Sequence, residues 1–144
     1  MRLMSKLVLV ILMSASQAAS AESVSESLEQ VEIGRELGGI AIQLLNDVSI
    51  DWSYSSLQKY TGKYLEPNRI KIEGMLHSSS ILGRFKACKD SKIGAPKDLE
   101  IPGAKALIGN CDFENGIGNV SIIFINVEGN FRAVALIIKP HQSR

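Results

Sequence analysis

The sequence predicts an α+β fold, with helices first and an antiparallel sheet second. Two observations predict it. Apolar residues recur at helical spacing only before Ser80, whereas after it they gather in short β-rich runs. Those runs are separated by turn signals, Asn115-Gly116 and Glu128-Gly129-Asn130, which is the punctuation of hairpins. At 144 residues, 45% hydrophobic and 22% charged with a formal net charge of +1, the chain suits a single packed domain. That composition is too apolar and too neutral for wholesale disorder.

Residues 1–21 read as an export signal. Arg2 and Lys6 charge the start, Leu7 to Met13 form a seven-residue apolar run, and Ala19-Ser20-Ala21 has the small-x-small pattern of a cleavage site. A spanning helix needs ~20 apolar residues, so this run is too short to cross a membrane. Cleavage near Ala21 leaves a 22–144 domain with a net charge of −1, periplasmic or secreted. In such an oxidising compartment Cys88 and Cys111 are expected to form one disulfide. An active redox pair would want a C-x-x-C spacing or a neighbouring His to lower a thiol pKa, and neither is present. Two free thiols are the remaining alternative.

From Ser23 to Asn46 the pattern is that of a long helix, with Ile33, Leu37, Ile40, Leu44 and Val48 along one face. Val24, Leu28, Val31 and Ile42 lie nearly opposite, which suits a helix wrapped by its own domain or shared with a partner. Gly34, Gly38 and Gly39 each cost about 1 kcal/mol there relative to Ala, so they point to a kink or a close backbone approach. Two shorter helices follow, Tyr54–Leu65 and Asn68–Ser79, joined around Pro67. Trp52, just before them, fits core filling at the sheet's end or, with Tyr60 and Tyr64, the lining of a pocket.

Four strands are expected beyond Ser80. Ile81–Asp90 and Ala104–Phe113 are joined by a Gly- and Pro-containing loop, 91–103, and the runs beginning at Val120 and Phe131 complete a meander. The last two runs are apolar at both parities, so both sheet faces should be covered there.

This order of elements resembles the nuclear transport factor 2-like, or cystatin-like, superfamily, in particular its small secreted members of unknown function. The resemblance rests on Leu82-Gly83-Arg84-Phe85 opening a long strand, Phe113-Glu114-Asn115-Gly116 at a hairpin and the closing strand from Gly129 to Pro140. It covers roughly residues 24–140, and its motifs are structural. It implies a curved, cone-like sheet around the long helix. The superfamily hosts enzymes, ligand binders and oligomerisation modules alike, so the resemblance implies no single function.

Catalytic members of such folds use an Asp/His dyad or a carboxylate opposite a tyrosine. Here His77 follows Met75-Leu76 on a short helix and His141 lies in a polar tail, and Asp90, Asp112 and Glu114 sit beside turns or polar neighbours. None is placed in an apolar strand where burial would tune its pKa. There is no H-E-x-x-H, EF-hand loop, G-x-S-x-G or phosphate loop, so no metal or cofactor is expected. Residues 22–51 carry one Arg against seven acids, and residues 59–97 carry nine basic residues against three acids. Within the basic half, Arg84 and Lys86 should share a strand face with Cys88, forming a stripe for docking an acidic partner. Near-neutral charge argues against nucleic acid. The reading that follows is an exported, non-catalytic binding module for a protein or a small apolar ligand, of inhibitor or immunity type. The alternatives are an isomerase- or dehydratase-like enzyme with a cryptic carboxylate and a self-associating domain that forms a homodimer.

Overall fold

The computed structural model describes residues 21–96 and 101–141, with side chains from Glu32 onward. The export signal, up to Ser20, lies outside the described residues, as do the side chains of Val24, Leu28 and Val31. Helix α1 (Ala21–Asp51) begins in a first unit that ends at Arg35 and continues into a second, Glu36–Arg144, which holds every other element. It runs unbroken through its glycines, and a Cβ added at Gly38 or Gly39 would meet nothing within 4 Å. No close approach to another element accounts for those two residues. From Glu36 on, the buried side is Leu37, Ala41, Leu44, Leu45 and Val48, while Ile42 on the other side is 47% exposed.

Helix α1 ends on Trp52, whose φ of 54° is in the left-handed region and whose N–H bonds the Val48 carbonyl at 2.6 Å. That reversal feeds α2 (Tyr54–Thr61), capped by Ser53, whose hydroxyl accepts from the Ser56 N–H. Asp51 Oδ1 in turn accepts from the Ser53 N–H and from the hydroxyls of Ser53 and Ser56. Gly62, at φ 57°, stops α2 at Thr61, four residues before the expected Leu65. A 3-10 turn (Glu66–Asn68) carrying Pro67 leads into α3 (Arg69–Ser79).

The first strand is shorter than its sequence pattern suggests. Ser80–Leu82 close into another 3-10 turn and Gly83 turns at φ 75°, so β1 is only Phe85–Cys88. Within the expected loop, Lys92–Gly94 forms a short fifth strand, β2. Then come β3 (Lys105–Phe113), β4 (Gly116–Val127) and β5 (Asn130–Pro140). All pairing is antiparallel, in the order β1-β3-β4-β5, with β2 also on β3. The β3–β4 turn is Glu114-Asn115, with Gly116 already in β4. It sits one residue earlier than the Asn-Gly signal because the turn is bound from outside. Glu114 N–H donates to the Arg84 carbonyl, Asn115 N–H to the Leu82 carbonyl, and Glu114 Oε1 accepts from the Arg84 N–H. The β4–β5 turn is Glu128-Gly129, both at positive φ, as a two-residue hairpin matching strand twist requires.

One core joins the helices to the inner face of the sheet. Leu44, Val48, Leu57, Leu65, Leu76, Val120, Ile122, Phe124 and Ile138 are 0–2% exposed, and each such burial contributes ~1.5–3 kcal/mol. Ser49, itself buried, ties α1 to β1 by accepting from the Phe85 N–H at 2.9 Å. Trp52 lies tilted against Phe113, and Phe113 meets Phe85 edge-on, with centroids 5.8 and 5.6 Å apart. The Trp52 indole N–H is buried without a hydrogen-bond partner.

Cys88 and Cys111 are bonded and stand directly opposite each other across β1 and β3. No helix among the described residues is long and apolar enough to cross a membrane.

Candidate functional site

Strand pairing decides which side chains share the sheet's outer face, the one turned away from the helices. Residues in register line up in rows across β3, β4 and β5. One row is Ile108, Ser121 and Ile137, and the next is Ala106, Ile123 and Ala135. In the other direction lie Asn110, Asn119 and Lys139, then Asp112 and Ile117 with His141 beside them. Ile108, Ile117 and Ile137 are 58, 43 and 50% exposed, and Ile123 and Ile125 are half-buried. The face is thus mainly apolar at one end, where Lys92 on β2 stands opposite Ile108 and Arg132 opposite Ile125 at its margins, and polar at the other. Both parities of β4 carry isoleucines, but among the described residues helices cover only one face, where the sequence pattern predicts cover on both.

The polar end carries an open cleft of about 190 Å³ lined by Lys89, Asp90, Asn110, Asp112, Ile117 and His141. Lys89 pairs with Asp112 at 3.1 Å, and the Asn119 amide donates to Asn110 Oδ1. His141 extends the β5 ladder by donating its N–H to the Ile117 carbonyl at 2.7 Å.

The edges of the sheet are closed to strand addition by different means. His141 to Ile117, Lys139 to Asn119 and Ile137 to Ser121 are alternate pairs along β5, so the carbonyls of Leu136 and Ile138 face its free edge. Ser79, buried on α3, donates to that Ile138 carbonyl at 2.8 Å, and Pro140 has no N–H to offer. The opposite edge is the short pair β1 and β2, four and three residues long. Short, bulged and lysine-bearing edges disfavour edge-to-edge pairing.

A second open cleft, about 280 Å³, lies between α1 and α2 and is lined by Asp47, Ile50, Ser55, Ser56 and Lys59. Asp47 Oδ2 accepts from the Tyr60 hydroxyl and from Lys59 Nζ at 2.7 Å. Those bonds, Lys59's first, hold the Asp47 carboxyl below its ordinary range. Burial, and then the Asp47 carboxylate, push the Tyr60 phenol up. Tyr54 is raised to about 12, by burial first and then by Glu66, which accepts its hydroxyl at 2.6 Å. Asp47 therefore stays ionised at neutral pH, and both phenols stay protonated. These are clamps between elements, not proton shuttles poised near pH 7.

The residues singled out by sequence are dispersed among different partners. Trp52 is on Phe113, Tyr60 on Asp47, and Tyr64 is 45% exposed. Arg84 and Lys86 are both exposed, but a β-bulge spans Phe85 to Ala87, which pair with Phe113 and Asp112. Lys86 is the extra residue. The alternation expected to align Arg84, Lys86 and Cys88 is therefore broken, with Ala87 exposed beside Lys86 and Arg84 in the bend before β1. His77 is exposed on α3. Among the described residues no three His, Cys, Asp or Glu side chains are grouped to hold a metal ion. The outer-face rows were not identified from sequence, because apolar parity on β4 says that two faces exist, not which one the helices leave open. No protein-family model, curated protein or solved structure matches the chain.

Proposed function

We propose that this chain is an exported, non-catalytic binding module that docks a protein on the outer face of its sheet. The supporting observation is the gathering of Ile108, Ile123 and Ile137 from three strands onto one face that no helix among the described residues covers. Single exposed apolar residues are ordinary, but a contiguous patch marks an interaction surface. A protein suits it better than a small apolar ligand, since the helix side of the sheet is filled by side chains that are almost fully buried. Export is supported by the signal-like residues 1–21 and by the disulfide. The helix-then-sheet order is in keeping with the cystatin-like resemblance, whose members include binding modules.

The test is capture from the exported fraction by the processed protein, in three forms. Wild type should retain a stoichiometric partner, and Ile108→Lys/Ile137→Lys should lose it with an unchanged circular dichroism spectrum. Arg84→Glu/Lys86→Glu should keep it. Loss in the Arg84/Lys86 variant with retention in the isoleucine variant would move docking to the basic residues. Stoichiometric uptake of a fatty acid or similar apolar probe would favour the small-ligand reading instead.

A further inference from the structure

Two sheets packed face to face lie ~10 Å apart with their strands nearly aligned. If both belong to copies of one chain, their two-fold axis lies in the plane between them, either along the strands or across them. An axis across the strands through the middle of the face would set the apolar rows of one copy against the polar rows of the other, and one through the apolar rows would leave the polar end outside the contact. An axis along β4 keeps every row facing its own equivalent and exchanges β3 with β5. Ile108 then meets Ile137 of the second copy, Ser121 meets Ser121, and Ile123 meets Ile123. At the polar end Asp112 meets His141, and Lys139 meets Asn110, so in these rows neither charge faces its like, while Lys92 on β2 and Arg132 opposite Ile125 stand at the margins of the apolar rows.

We propose that the occupant of the outer face is a second copy of this chain, related by a two-fold axis parallel to β4. This rests on the reading of that face as a protein-docking surface, and it names the protein. Pairing through the edges is the other route to a sheet-based dimer, and Ser79, Pro140 and the β1 bulge obstruct it. Strands of 9, 12 and 11 residues outline a face of roughly 15 by 30 Å, using ~4.8 Å between strands and ~3.4 Å per residue. With side-chain relief that is on the order of 600–800 Å² per copy, at or just under the ≈ 800 Å² of a standard interface. An interface of that size suits a reversible association more than an obligate one.

Sedimentation velocity of the processed protein, from low micromolar to several hundred micromolar, should show a monomer–dimer equilibrium. Ile137→Lys, which enters a two-fold interface twice, should weaken it by ~100-fold or more, with the fold checked by circular dichroism. Ser121→Cys, on the axis, should be joined to itself by a bis-maleimide whose spacer of about 8 Å suits the ~10 Å sheet separation. Gln58→Cys, on α2, should not. A wild type that stays monomeric over the whole range overturns the homodimer. If Ile108→Lys/Ile137→Lys nevertheless abolishes capture of a different protein, docking on the face survives that result. A dimer that is indifferent to Ile137→Lys and is not cross-linked through Ser121→Cys also overturns it, since its interface lies elsewhere.

Discussion

Removing the Cys88–Cys111 bridge tests the pairing of the sheet's weakest part. The two cysteines are 23 positions apart, and the loop they close contains all of β2. The chain-entropy relation gives about 3 kcal/mol for a loop of that length. At about 4 °C per kcal/mol for a chain of this size, reduction should lower the melting temperature by roughly 12 °C. Cys88→Ala/Cys111→Ala should cost somewhat more, because Cys111 is 0% exposed and its sulfur leaves a small void. The difference between reduced and doubly substituted protein thus separates cross-link from packing. Loss should also be local. β1 and β2 pair with β3 over four and three residues, against the full-length β3–β4 ladder, so their amides should lose hydrogen-exchange protection first. Melting temperatures of oxidised and reduced protein within about 2 °C of each other would refute this reasoning. So would protection lost equally across β3, β4 and β5.

Three other outcomes follow from particular contacts. Gly39→Ala should raise stability by about 1 kcal/mol in chemical denaturation, because the added methyl meets nothing and helix propensity improves. Gly118→Ala should lower it by ~1–3 kcal/mol, since its Cβ would come within 2.9 Å of the Phe113 ring and 3.0 Å of Leu82, both buried. With pH, Tyr54 and Tyr60 have hydroxyls raised above 10.0 in the fold, so their contribution is complete below pH 10 and is lost as pH climbs through Tyr54's value of about 12. Asp47 and Asp51 are lowered from 3.8, so their contribution is present above that value and disappears as pH falls below it. Melting curves across both ranges should show the two declines, and Tyr54→Phe with Tyr60→Phe should flatten the alkaline one.

Periodicity made the helices, the long strands and the change of class near Ser80 legible, because each long element packs one face on the core and writes that face into the chain. The disulfide was legible too, from two cysteines behind an export-like segment. What escaped was set by contacts between distant residues. The Ser80–Leu82 turn and the bulge at Lys86 depend on Glu114 and Asn115 bonding back to 81–84, thirty residues away in sequence. The short β2 exists because β3 offers a free edge at Ala106–Ile108, while Ser91 packs over Gly109 with no room for a side chain there. The Tyr60–Asp47 clamp joins residues thirteen apart on two helices whose angle is fixed by Trp52's positive φ.

The outer face is the clearest case of a property that belongs to register and not to any segment. Ile70 on α3 and Ile81 in a turn are more exposed than any isoleucine on the sheet, at 85 and 68%, yet each stands alone on its element. β-propensity by itself accounts for isoleucine in strands, and it would be satisfied on the solvent side by Thr or Tyr as well. What propensity does not account for is the change along the face, with isoleucines and alanines flanked only at the margins by Lys92 and Arg132 at one end, and Asn110, Asn119, Lys139, Asp112 and His141 at the other. A solvated face has no reason to be divided in this way, whereas a face that meets another sheet in one orientation does. The division is also what selects the axis along β4. Exchanging Asn119 with Ile123 would leave the composition and the number of exposed apolar residues of β4 unchanged while mixing the two ends. Asn119→Ile/Ile123→Asn should therefore abolish self-association if orientation comes from the division, and leave it intact if apolar area alone drives it, as sedimentation would show.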